Sequence, residues 1–168
     1  MNSGVGQSFL LDTNVFVEAH KRYYARDICP GFWDCLLREC QNGSLMSIDK
    51  VRSEIEEGRD ELWNWVKGHT PQNFFVATTE QSVQDTYSGI MEWIHTQNFN
   101  PNAISSFAGG ADGWLVAYTR VHGMVLVTDE KFNPQIRRRV PIPNVCRQFE
   151  VDYIDTFRML RELEVQFQ

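Results

Sequence analysis

Long apolar runs are missing from this chain. The only one near the N-terminus, Ser8-Phe9-Leu10-Leu11, is far shorter than a signal-peptide core or the ~20 residues that span a bilayer. The expectation is a soluble, cytoplasmic protein with no membrane partner. Cysteine is scarce: Cys29, Cys35, Cys40 and Cys146 form no C-x-x-C pair and have no histidine at zinc-finger spacing, which argues against a structural zinc site and for reduced, partly buried thiols. His20, His69, His95 and His122 have no mutual spacing that builds a site. No G-x-S-x-G elbow is present, so a serine hydrolase of that type is disfavoured. Positive charge is also short, with 16 Lys and Arg against 22 Asp and Glu for a net charge of −6. That balance argues against a broad basic surface holding nucleic acid by neutralising many phosphates. It leaves room for an enzyme that gathers carboxylates around a divalent ion, because the bound metal partly cancels the deficit.

What is present is enough for one core. A chain of 168 residues, 42% of them hydrophobic, buries a substantial interior but is too short for two ordinary domains, so a single domain over residues 1–168 is expected. Phe9 to Leu11 reads as a buried strand leading into Asp12-Thr13-Asn14, residues able to cap a helix opening at Val15 to His20. Phe32 to Cys40 shows helical spacing and stops at Asn42-Gly43. Leu45 to Ile48 is a second strand, followed by a helix that Asp49 can cap and Gly58 can end, and by another from Asp60 to Lys67. Phe74 to Val76 is a third strand, and Thr79 to Thr96 a helix before a break at Asn98 to Pro101. Ala111 to His122 reads as an apolar helix ended by Gly123, Met124 to Val127 as a valine-rich strand, Val151 to Ile154 as a last strand, and Thr156 to Glu164 as a closing helix. Strands alternating with helices imply an α/β sandwich of three layers, with a parallel central sheet between helices.

In such sheets the functional crevice lies beyond the carboxyl ends of the strands. The residues there are acidic. Asp12 follows the first strand, and Asp129 follows Val127 after the single spacer Thr128. Asp112 opens its helix behind Gly109 and Gly110, which let the backbone turn and approach a ligand closely, and Glu54 lies one turn into the helix after Ile48. Four carboxylates brought together repel one another unless a cation lies between them, and hard oxygen ligands select magnesium or manganese. Such an ion lowers the pKa of a bound water and clamps a phosphate oxygen, which suits phosphodiester hydrolysis.

The segments Leu11-Asp12-Thr13-Asn14-Val15, Ser53-Glu54-Ile55, Ala111-Asp112-Gly113-Trp114-Leu115-Val116-Ala117 and Val127-Thr128-Asp129 resemble, in order and spacing, the four acidic motifs of the PIN domain over roughly residues 8 to 162. The resemblance implies the PIN fold and a magnesium- or manganese-dependent ribonuclease like the toxins of bacterial toxin–antitoxin pairs. Carried over residue by residue, Asp12, Glu54, Asp112 and Asp129 are the implied metal ligands and catalytic acids, with Asn14 and Thr128 as polar neighbours behind them. RNA is the implied substrate and an antitoxin the implied protein partner; a homodimer is a further candidate assembly that the sequence leaves open. Arg22-Tyr23-Tyr24, Pro30-Gly31-Phe32-Trp33 and Ile142-Pro143-Asn144-Val145-Cys146 look like a PIN-related bacterial branch known only as a domain of unknown function. The segment between Asp12 and Glu54 is longer than in the shortest toxins.

Alternatives stand beside this reading. Any one aspartate after a strand also reads as a helix cap. Glu56 and Glu57 lie close enough to Glu54 that periodicity leaves the register open. Arg137, Arg138 and Arg139 are candidate substrate-binding residues, though a charge run beside Pro141 also reads as a solvated loop. Trp33, Trp63 and Trp65 lie among helical apolar residues and read as core or partner-facing rather than as base-stacking rings. A phosphatase of the haloacid dehalogenase type needs an acid two residues after the first aspartate, where this chain has Asn14. The rival from another class is a PIN scaffold that binds RNA or protein without cutting.

Overall fold

A computed structural model describes residues 6–167. Five short strands, β1 (Phe9–Leu11), β2 (Leu45–Ile48), β3 (Phe75–Val76), β4 (Val125–Val127) and β5 (Tyr153–Ile154), form one sheet in the order β3-β2-β1-β4-β5. Every pairing is parallel. All residues of β1 and β4 are buried, as they must be when helices cover both faces of a parallel sheet. The expected α/β/α layering is the architecture observed.

The helices are α1 (Thr13–Glu18), α2 (Pro30–Gln41), α3 (Asp49–Gly58), α4 (Glu61–His69), α5 (Gln81–Thr96), α6 (Pro101–Gly109), α7 (Asp112–His122), α8 (Ile142–Gln148) and α9 (Thr156–Glu162). Their inner faces carry the apolar positions seen in the sequence, such as Phe32 and Leu36 of α2 and Val51 and Ile55 of α3, and these join one core with the strands. Trp33 and Trp65 are buried in it, edge to face at 4.7 Å. Gly123 takes the left-handed conformation at φ 63° and closes α7, the role glycine fills most cheaply.

Three features differ from the sequence expectation. The break at Asn98 to Pro101 is itself the start of a helix: Pro101 lies in the first turn of α6, where its missing N–H costs nothing. Residues 142–148 form α8, again with a proline in its first turn, although no long apolar period marks them. The first helix does not simply continue to His20: α1 passes into a π-turn at Ala19–Tyr23. Among the described residues no helix is long and apolar enough to cross a membrane, and Cys29, Cys35, Cys40 and Cys146 are all free thiols.

Chain order reverses between β1 and β4. From β1 the chain adds β2 and β3 on one side, then returns to place β4 and β5 on the other. In doubly wound sheets that switch point opens the crevice in which ligands bind. Leu11 is paired with Val127, so the residues leaving β1 and β4, Asp12 and Thr128, emerge side by side at its mouth.

Candidate active site

Asp12 occupies the N-cap position of α1 but its side chain makes no capping bond. It is 1% exposed and accepts a hydrogen bond from the Thr128 hydroxyl at 3.1 Å. A cap aspartate left at the surface would be ordinary; one buried among other acids is expensive. Burial pushes its carboxyl up to about 7, Glu130 and then Glu54 add to the rise, and the Thr128 hydroxyl pulls it back.

Asp112 opens α7. Burial holds its carboxyl well above the usual range, reinforced by Asp12, Glu130 and Glu54 and relieved by Arg139. Glu54 ties the two helix starts together. One carboxylate oxygen accepts from the backbone N–H of Ala111 at 2.8 Å, the other from the Thr13 hydroxyl. Of the three nearby glutamates, Glu54 is the one these bonds bring to the crevice, while Glu56 and Glu57 are exposed. The same bonds also explain Gly110: a Cβ there would lie 3.1 Å from Glu54 Oε1, so the glycine admits a carboxylate of the protein itself.

Asp129 is placed differently. Its two oxygens accept from the N–H and the hydroxyl of Thr156, each at 3.0 Å, which anchors the start of α9. The acid whose charge acts on Asp12 and Asp112 is the next residue, Glu130. Glu130 accepts from the Ile142 N–H at 2.7 Å and stands 3.8 Å from the Arg139 guanidinium. Two consecutive acids follow the strand, and sequence alone does not say which one turns inward. Thr128, besides holding Asp12, accepts from the Glu130 N–H at 3.2 Å, so one hydroxyl positions both acids. Asn14 is exposed and lines the neighbouring cleft, with no side-chain hydrogen bond to the acids among the described residues.

The arginine run divides. Arg137 spends its guanidinium on the carbonyls of Pro134 and Ile136, whereas Arg138 and Arg139 line a cleft of about 770 Å³ that also contains Asp129 and Glu130. A smaller cavity of about 120 Å³ lies against Asp112, Glu130 and Arg139. Among the described residues no three His, Cys, Asp or Glu side chains stand close enough together to hold an ion as they are. The donor chemistry nonetheless suits a hard cation: the facing groups are carboxylates, two of them with raised pKa values through desolvation and mutual repulsion, beside a cavity with room for several waters. Magnesium commonly keeps several waters and takes only one or two carboxylates from the protein.

An acid whose pKa is raised by folding contributes its full stability below its unfolded value, 3.8 for Asp12, and loses it as pH rises through the folded value of about 7. In EDTA the melting temperature is therefore expected to fall as pH climbs through that window. Asp12→Asn should flatten the fall and melt higher than wild type at alkaline pH. Parallel pH profiles for the two proteins would show that Asp12 carries no such burden.

A PIN-like α/β fold with an acidic crevice at the switch point is thus the class of protein to which these features belong. The family model described as "Domain of unknown function (DUF4411)" matches residues 9–167, and the chain belongs to that family. Among solved structures it is similar to FitAcB from Neisseria gonorrhoeae, with a TM-score of 0.53 and 15% identity over 87% of this chain and 96% of that one. At that identity the likeness concerns the fold. No curated protein matches the chain.

Proposed function

We propose that this chain is a cytoplasmic, single-domain ribonuclease that hydrolyses RNA phosphodiester bonds with magnesium or manganese, using Asp12, Glu54, Asp112 and Glu130. The observation carrying the proposal is that Asp12, buried, and Asp112, half-buried, both have raised pKa values at the switch point and face two further acids. Retaining such a cluster without a cation costs stability. A bound divalent ion would supply an activated water and a clamp on the phosphate oxygen.

The protein's own groups then have separable tasks. Asp12 and Asp112 would hold the ion, and Glu130, which lines the small cavity with Asp112, would add its charge. Thr128 fixes the carboxylate of Asp12 by its hydrogen bond. Glu54, bonded to Thr13 and Ala111, keeps the starts of α1 and α7 at one distance. Arg138 and Arg139 attract the substrate's phosphates to the adjoining cleft. In this proposal Asp129 anchors α9 rather than ligating the ion, and Arg137 supports the loop. An antitoxin follows only from the PIN resemblance, and a small DNA-binding protein encoded immediately upstream would favour the toxin role.

Purified protein should cut single-stranded RNA with magnesium or manganese and stop when EDTA is added. Binding without cutting in manganese would replace the ribonuclease by a PIN-fold binding module, in which the hydrogen bonds of Glu54 and Asp129 would serve the fold alone.

A further inference from the structure

The cleft beside the acids carries aromatic rings that hydrolysis does not require. Tyr23 is 60% exposed, Phe157 46% and Phe132 37%, and all three line the 770 Å³ cleft with Arg138, Arg139 and Glu130. Large apolar side chains left in water mark binding surfaces when they gather at one place. Tyr23 and Phe157 meet edge to face at 6.1 Å, one from the π-turn after α1 and the other from α9. π-turns are often retained at functional sites. Phe132 is covered on one side by the Arg147 guanidinium, 3.7 Å from the ring centre, which leaves Tyr23 and Phe157 as the freer pair.

Charge alone cannot hold a polynucleotide here. Glu18, Asp129 and Asp155 also line the cleft, offsetting its arginines, and the chain's net charge is −6. Stacking on aromatic faces can supply the missing affinity, because every base has a π-face and the contact does not depend on charge. A cleft of this volume lies within the usual range for small-ligand sites, roughly 300–1,000 Å³.

We propose that Tyr23 and Phe157 form a stacking platform for an unpaired nucleobase next to the phosphate at the acidic pocket, so that the protein selects single-stranded RNA over duplex. The proposal rests on the ribonuclease reading for the position of that phosphate. Bases inside a duplex are stacked on each other and cannot reach the rings.

The test is fluorescence anisotropy in EDTA with three labelled probes of equal length: oligouridylate, an abasic ribose-phosphate chain and a duplex RNA. Tyr23→Ala and Phe157→Ala should each weaken oligouridylate binding about tenfold, with Tyr23→Phe restoring it, while the abasic and duplex probes bind weakly and respond to neither change. Both rings are exposed, so thermal melts of the variants should match wild type. Oligouridylate affinity unchanged in both alanine variants, equal affinity for duplex, or no binding of any probe would overturn the platform. Cutting assays in manganese separate the two ideas. Ring-dependent binding without cutting sinks only the ribonuclease reading, and cutting by the alanine variants at the wild-type rate and with the wild-type preference for single strands sinks only the platform.

Discussion

Asp112→Asn is expected to abolish manganese-dependent cutting of RNA while the domain stays folded. The substitution keeps side-chain size and removes a charge that burial and three acidic neighbours already make costly, so the metal-free variant should melt no lower than wild type. A tenfold loss of rate corresponds to only ~1.4 kcal/mol of transition-state stabilisation, and a residue holding the ion should cost more than about a hundredfold. RNA binding should survive, since one fewer negative charge faces the phosphates. Full activity in this variant would remove Asp112 from the site.

The second large effect separates two adjacent residues. Glu130→Gln should lose cutting by more than about tenfold, because the amide can still accept from the Ile142 N–H but no longer brings a charge toward Asp12 and Asp112. Asp129→Asn should keep cutting and lose stability on the order of 1 kcal/mol, from the weakened hold on the N–H and hydroxyl of Thr156. Rates and melting temperatures measured on both variants check this directly. The reverse pattern would return Asp129 to the centre and leave Glu130 as the support of α8.

The layering of the fold was legible because its strands are short apolar segments each followed by a helical period, and β1, β2 and β4 fall where Phe9 to Leu11, Leu45 to Ile48 and Met124 to Val127 indicate. Asp12 was legible as a strand-end acid, and Thr128 as its neighbour. Which of Asp129 and Glu130 turns toward Asp12 was not, since that choice depends on Thr156 from a distant helix offering two donors to Asp129. Thr13 escaped notice for a similar reason: its partner Glu54 lies 41 residues away. The helices α6 and α8 are short and carry a proline in the first turn, which in a sequence reads first as a break. Tyr23, Phe132 and Phe157 carried no signal as a group, because only the π-turn and the docking of α9 bring them to one cleft.

Stabilising an acidic pocket with a cation is the step on which the rest depends, and it can be measured without any RNA. Manganese titrated calorimetrically into metal-free protein at neutral pH should give saturable binding with release of protons, because carboxyls raised by burial must ionise to accept the ion. The same titration into Asp12→Asn or Asp112→Asn should show binding lost or weakened by more than about tenfold, with the proton release reduced. Saturable binding of equal strength in wild type and both variants, or none in wild type at millimolar manganese, would contradict a metal centre at these acids.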